Sequence, residues 1–101
     1  MEKRRPTYDL EAFKAAMSLP SRLAITLAAF GDAQALGFDR AGVVEVIQSM
    51  RPRHFYKSMT SYGDHTEWQD VYHVPAQGLV LYVKFRSDVV TDFRVLSFKE
   101  R

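Results

Sequence analysis

Lys57, His65, Trp68, Gln69 and three of the five tyrosines fall within the eighteen residues from Phe55 to Tyr72, reading Phe-Tyr-Lys-Ser-Met-Thr-Ser-Tyr-Gly-Asp-His-Thr-Glu-Trp-Gln-Asp-Val-Tyr. Each hydroxyl, amide or ammonium in such a run would cost roughly 1–3 kcal/mol or more if buried without a partner. The segment therefore reads as an exposed, chemically equipped surface. Tyr82 and Lys84 follow on a later strand, and Lys99 comes near the end of the sequence. Together these residues supply ammonium groups, an amide that can position a substrate and a phenol that can pass a proton. No carboxylate pair or Cys/His couple accompanies them. The set suits a phosphodiester better than an ester or a sugar. The pentacoordinate transition state of RNA self-cleavage concentrates negative charge on its non-bridging oxygens, where fixed cations stabilise it. RNA also brings its own nucleophile, the 2′-hydroxyl, so no metal-bound water is required.

Taken singly, each residue has a plainer explanation. A strand lysine commonly protects an edge or keeps a surface soluble. Tyr82 can serve only sheet packing, and Trp68 a core or sheet anchor, with base stacking as its alternative. Histidine as a residue type can exchange protons in the physiological range, which makes His65 the reserve candidate for a general base, although a loop histidine is commonly just a hydrogen-bonded surface group. His54 and His73 have weaker claims. Asp64, His65 and Glu67 complete no metal signature, since no second histidine stands at helical spacing. No metal or other cofactor is expected, and there is neither a glycine-rich phosphate loop nor a nucleophile elbow.

The elements that must hold this set follow from periodicity. Asp9 caps a short helix with apolar positions Leu10, Phe13, Ala16 and Met17, ended by Leu19-Pro20. Thr26 caps a second that runs through Leu27, Phe30, Ala33 and Leu36 to a stop at Gly37, despite an internal Gly31. Asp39 starts a third with a stripe of Val43, Val44, Ile47 and Met50. A short strand over Arg22 to Ile25 is expected between the first two. From His54 the period becomes two, giving strands near 55–60, 66–74, 79–86 and 93–99 in an antiparallel meander. Leu79, Leu81, Val83 and Phe85 share one face of the third, opposite Val80, Tyr82, Lys84 and Arg86. The last sets Leu96 and Phe98 against Ser97 and Lys99. The expected fold is α+β, with N-terminal helices packed on one face of a C-terminal antiparallel β-sheet.

Composition agrees with one domain over residues 1–101, since a chain of 101 residues has material for one core. A hydrophobic fraction of 47% and an aromatic fraction of 13% are those of a packed globule. The absence of cysteine removes disulfide frameworks, thiol catalysis and Cys-based zinc sites, and fits a reducing, cytoplasmic home. No window approaches the run of about eighteen apolar residues that a membrane helix needs, and the opening Met1-Glu-Lys-Arg-Arg-Pro6 leads into no apolar secretion signal. The net charge is +2; residues 1–50 carry six basic and six acidic side chains and residues 51–101 eight and six, so the excess lies with the unusual segment. An excess this small does not by itself indicate a polyanion partner.

The block from Phe55 to Tyr72 closely resembles the MqsR family, the motility quorum-sensing regulator toxins of bacterial toxin–antitoxin pairs. The opening Met1-Glu-Lys-Arg4, the helix end Ala35-Leu-Gly37 and the closing Leu96-Ser-Phe-Lys-Glu100 are similar in order and spacing, so the resemblance spans essentially the whole chain. The first two helices agree only loosely. Between Tyr82 and Lys99 the chain is about two residues longer than the family pattern, which leaves the turn around Ser87 to Asp92 outside the match.

The resemblance implies a RelE-like ribonuclease toxin fold. It also implies a metal-independent endoribonuclease that cuts free mRNA, without the ribosome, at GC-containing triplets such as GCU, and so stops translation and growth. The family's active-site lysine in Phe-Tyr-Lys-Ser-Met matches Lys57, its glutamine in Trp-Gln-Asp-Val-Tyr matches Gln69, its next-strand tyrosine matches Tyr82, and the lysine of Ser-Phe-Lys-Glu matches Lys99. Lys57 and Lys99 would hold the scissile phosphate, Gln69 would orient it, and Tyr82 would relay a proton to or from the 2′-hydroxyl or the leaving 5′-oxygen. The products would be a 2′,3′-cyclic phosphate and a 5′-hydroxyl. Met59, His65 and Lys84 are expected RNA contacts. The general base is left open. A lysine or tyrosine, with an unperturbed pKa of roughly 10, would need a shift toward neutrality. The resemblance further implies an antitoxin with a zinc-binding N-terminal domain and a helix-turn-helix C-terminal domain. A non-catalytic module that binds RNA or the antitoxin is the competing account, and a purely structural domain is the third.

Overall fold

A computed structural model describes residues 1–101. In chain order the elements are β1 (Glu2–Lys3), α1 (Leu10–Ala16), a 3-10 turn at Pro20–Arg22, α2 (Leu27–Ala35), α3 (Arg40–Ser49), a second 3-10 turn at Pro52–His54, β2 (Phe55–Thr60), β3 (Trp68–Ala76), β4 (Leu79–Asp88) and β5 (Asp92–Glu100). The three expected caps close the helix starts. Asp9 accepts from the Glu11 N–H at 3.0 Å, Thr26 from Ala29 at 3.1 Å and Asp39 from Gly42 at 2.7 Å. Helix α2 ends where Gly37 turns left-handed at φ 92°, with the Phe38 N–H returning to Ala33 O and the Gly37 N–H to Gln34 O at 3.0 and 2.9 Å. This paired return satisfies carbonyls that the helix end would otherwise leave open.

The strands form one antiparallel sheet in the order β1-β2-β3-β4-β5. Its β3–β4 hairpin turns on Gln77 and Gly78, both at positive φ (50° and 79°), which matches the right-handed twist of the flanking strands. Two expectations need correction. The sheet is not wholly C-terminal, because Glu2–Lys3 adds an edge strand secured by the Met1 amine on Thr60 Oγ1 at 2.9 Å. Nor do Arg22 to Ile25 make a strand. Pro20 fixes a 3-10 turn, and only Ile25 bridges Val95 in parallel, flanked by Val95 N–H to Ala24 O and Thr26 N–H to Val95 O.

All three helices cover one face of the sheet, and a continuous cluster of 19 buried residues joins them to it. Phe13 stacks on Phe85 at 3.7 Å, and Phe38 meets Phe98 edge-on at 5.3 Å. On the same side Asp70, with no exposed surface, accepts the Thr7 N–H at 3.1 and 3.0 Å and the Tyr8 N–H at 2.9 Å. That carboxylate ties the segment entering α1 to the middle of β3.

Two β-bulges interrupt the alternation. In β2 the pairs Phe55↔Tyr72 and Lys57↔Val71 leave Tyr56 extra; in β5 the pairs Phe85↔Val95 and Lys84↔Ser97 leave Leu96 extra. Strict alternation would set Leu96 beside Phe98 in the core. Instead Val95 and Phe98 are fully buried and Leu96 is only half-buried, because the extra residue shifts the phase by one.

Candidate active site

The face that the helices leave open carries the residues of interest in cross-strand rows. Register aligns Lys57 with Val71, Lys84 and Ser97; a neighbouring row runs His73, Tyr82, Lys99; Met59 lies opposite Gln69. The bulge at Tyr56 makes this face possible. Phe55 turns inward onto Tyr72 at 5.5 Å, and Tyr56 and Lys57 then both project to the open side, where Tyr56 stacks on His73 at 4.1 Å. Adjacent strands lie about 4.8 Å apart, so Lys57, Lys84 and Lys99 surround the Tyr82 ring within the reach of their side chains.

Electrostatics separate these groups. The Lys57 ammonium donates to Glu2 Oε2 at 2.9 Å, and this bond raises its pKa and keeps it charged. Glu2 belongs to the edge strand that the sequence did not disclose. Lys84 is half-buried beside the fully buried Val71; burial, reinforced by the nearby charges of Lys99 and Lys57, lowers its pKa. Burial raises the pKa of the Tyr82 phenol, opposed by Lys57, so the phenol keeps its proton at neutral pH. The Lys99 ammonium lies 5.4 Å from the centre of the Tyr82 ring, a favourable cation–π placement.

Lys57, Tyr82, Lys84 and Lys99 thus share two adjacent rows, and Gln69 sits in the next row on the Lys57 side. It lies two residues along β3 from Val71, the partner of Lys57, and four from the His73–Tyr82 pair, roughly 7 and 13 Å at about 3.3 Å per residue. Gln69 is only 7% exposed, and its amide donates to Glu67 Oε1 at 2.9 Å. Glu67 in turn pairs with Arg86 at 3.5 Å. Met59 shares the Gln69 end of the face, and His65 lies on the exposed β2–β3 loop. Trp68 is a packing residue, half-buried with the Lys3 ammonium 4.2 Å over its ring. Sequence reasoning missed Glu2 and Tyr56 and gave His73 only a weak claim. The Phe-Tyr-Lys run carried a signal for Tyr56, since only a bulge lets Phe55 enter the core while Lys57 stays outside.

No helix is long and apolar enough to cross a membrane. Residues 5–100 match the family described as motility quorum-sensing regulator, toxin of MqsA. The chain is also 39% identical over 101 residues to the mRNA interferase toxin MqsR of Escherichia coli (strain K12), an alignment that covers 100% of both chains. A match of this extent places the chain plainly: the protein belongs to the MqsR family, toxins that are paired with a cognate antitoxin.

Proposed function

We propose that the chain is a metal- and ribosome-independent endoribonuclease that cuts mRNA at GC-containing triplets, GCU among them, and thereby inhibits translation and growth. The observation that carries this reading is the convergence of Lys57, Lys84 and Lys99 around the protonated phenol of Tyr82 on a face free of helices. Fixed cations of this kind stabilise a phosphorane whose charge grows in the transition state. Lys57 and Lys99 hold the scissile phosphate from two sides. Tyr82 lies between them and serves the proton transfers. Gln69, held by Glu67 at the far end of the face, orients RNA beyond the scissile group, next to Met59 and His65. Attack by the 2′-hydroxyl leaves a 2′,3′-cyclic phosphate and a 5′-hydroxyl. The fold is that of the RelE-like ribonucleases, and the work is cytoplasmic. The partner is an antitoxin with a zinc-binding N-terminal and a helix-turn-helix C-terminal domain.

The test is incubation of purified protein with a GCU-containing RNA in excess EDTA, followed by analysis of the ends. Wild type should cut and leave cyclic phosphate, while Lys57→Ala and Tyr82→Ala lose at least about a hundredfold in rate. Intact RNA bound by folded wild-type protein would overturn the enzyme and favour the non-catalytic binding module.

A further inference from the structure

His73 stands between two tyrosines on the open face. Its ring stacks on Tyr56 at 4.1 Å with 21° between planes, and its centre is 6.0 Å from that of Tyr82, its direct partner across the β3–β4 ladder. Lys99 continues the same row beyond Tyr82, and Lys57 lies diagonally across β2. A phosphate held between Lys57 and Lys99 therefore rests over the His73–Tyr82 pair. The imidazole is half-buried, and no hydrogen bond from the protein occupies its ring nitrogens while none of its polar atoms is sealed away. It is positioned by stacking alone, with both nitrogens left for a ligand.

We infer that His73 is the general base of the reaction, taking the proton of the attacking 2′-hydroxyl, and that Tyr82 is the acid that protonates the leaving 5′-oxygen. This rests on the nuclease reading and assigns it the base that the lysines and tyrosines do not supply. The 2′-O–H bond breaks as its proton passes to an imidazole nitrogen. The 2′-oxygen bonds to phosphorus, the P–O5′ bond breaks, and the Tyr82 proton goes to O5′. Proton exchange with water returns imidazolium and phenolate to their starting states.

The surroundings suit each role. Burial lowers the His73 pKa, with the charges of Arg101 and Lys57 adding to the effect, so the ring is neutral at pH 7 and ready to accept. The groups that face it are Tyr56 and Lys57 from β2, Glu2 from β1 through its bond to Lys57, Tyr82 and Lys84 from β4, and Lys99 and Arg101 at the end of the chain. Cations outnumber the one carboxylate among them. Tyr82 is shifted the opposite way and keeps its proton. Two neighbours pushed apart in this manner make an acid–base pair. His65, the imidazole that the sequence put forward, lies on the exposed loop beyond the Thr60↔Trp68 end of the ladder, away from this row.

The experiment is single-turnover cleavage of a GCU-containing RNA in EDTA from pH 5 to 9, with wild type, His73→Asn, His73→Gln and His73→Ala. Wild type should lose rate as pH falls through the imidazole titration. Both amide variants should lose about 10²–10⁴-fold at pH 7 and show no such acid limb. Binding of the 2′-deoxy oligonucleotide should stay within about threefold of wild type, as for a group that acts only in the transition state. Added imidazole should restore part of the His73→Ala rate. Wild-type rates and an unchanged acid limb in folded His73→Asn and His73→Gln would overturn the base assignment and leave the nuclease standing. RNA left intact by wild type would remove both.

Discussion

Replacing Asp70 should cost stability without touching the chemistry, although it adjoins Gln69 within the Trp-Gln-Asp-Val-Tyr block. Its carboxylate has no exposed surface and accepts two backbone donors, Thr7 N–H through both oxygens and Tyr8 N–H through one. A hydrogen bond to a charged group is worth about 1.5–3 kcal/mol, so two give about 3–6 kcal/mol. Water can reach part of the Thr7–Tyr8 segment, which favours the lower end. Asp70→Ala should therefore cost about 3 kcal/mol. Asp70→Asn keeps one acceptor but turns an amide N–H toward the other donor, and should cost about 2 kcal/mol. Against a total of roughly 5–15 kcal/mol for a domain of this kind, the alanine variant keeps about 2–12 kcal/mol and should still fold. Urea denaturation reads the effect. With a slope of about 1–3 kcal/mol per molar, the Asp70→Ala midpoint should fall by about 1–3 M at unchanged slope. Because Asp70 points into the helical side, Asp70→Asn should cleave RNA within about twofold of wild type below its melting range. A stability loss under about 1 kcal/mol for Asp70→Ala, or a collapse of cleavage in folded Asp70→Asn, would refute this reasoning.

Burial, reinforced by Asp70 and Asp9, pushes the Tyr72 hydroxyl up to about 12. The unfolded chain loses this proton near pH 10, so between pH 10 and about 12 the folded state binds more protons and stability falls as pH rises. Allowing for solvent around the hydroxyl, the loss at pH 11 should reach at most about 1 kcal/mol and be absent in Tyr72→Phe, as read by urea midpoints at pH 9 and 11. Lys84→Met should stabilise the fold at pH 7, since the half-buried ammonium has a lowered pKa and is easier to protonate when unfolded. The same variant should make the salt dependence of RNA binding shallower by about 0.7 in log–log slope, and an unchanged slope would remove Lys84 from the phosphate contacts. Glu2→Gln frees the Lys57 ammonium from its carboxylate. RNA binding should tighten by up to about fivefold at low salt, with the gain fading as salt rises; weaker binding would show that Glu2 positions Lys57 rather than masks it.

Most of the architecture was legible because it rests on local rules. Asp9, Thr26 and Asp39 announce helix starts by their side chains, and Gly37 announces an end by its φ. The alternation of β4 announces which of its residues face the helices. What escaped was set by register and by distant partners. Two-residue β1 is too short to carry a period, and its pairing depends on Thr60 and Met59, far along the chain. The bulge at Leu96 moved Val95 into the core against the alternating pattern. His73 resembles any polar residue on a strand until the ladder sets it opposite Tyr82 and the Tyr56 bulge lays a ring upon it. The candidate lysines were recognised by type and resemblance, but their proximity depends on pairing between strands, which periodicity within a strand does not specify.

The bulge at Leu96 also frees the length of the β4–β5 hairpin from the business of its open end. In an unbroken ladder, adding one residue to an arm turns every side chain beyond it to the opposite face. A bulge takes up the odd residue, so Tyr82 stays opposite Lys99 while the arms toward Asp88 and Asp92 can differ in count. At the tip Val89 and Val90 are exposed, while Thr91 is half-buried and donates its hydroxyl to Phe93 O. An insertion, a fluorophore or a short epitope can therefore be carried at this tip while the Tyr82–Lys99 pairing is inherited unchanged.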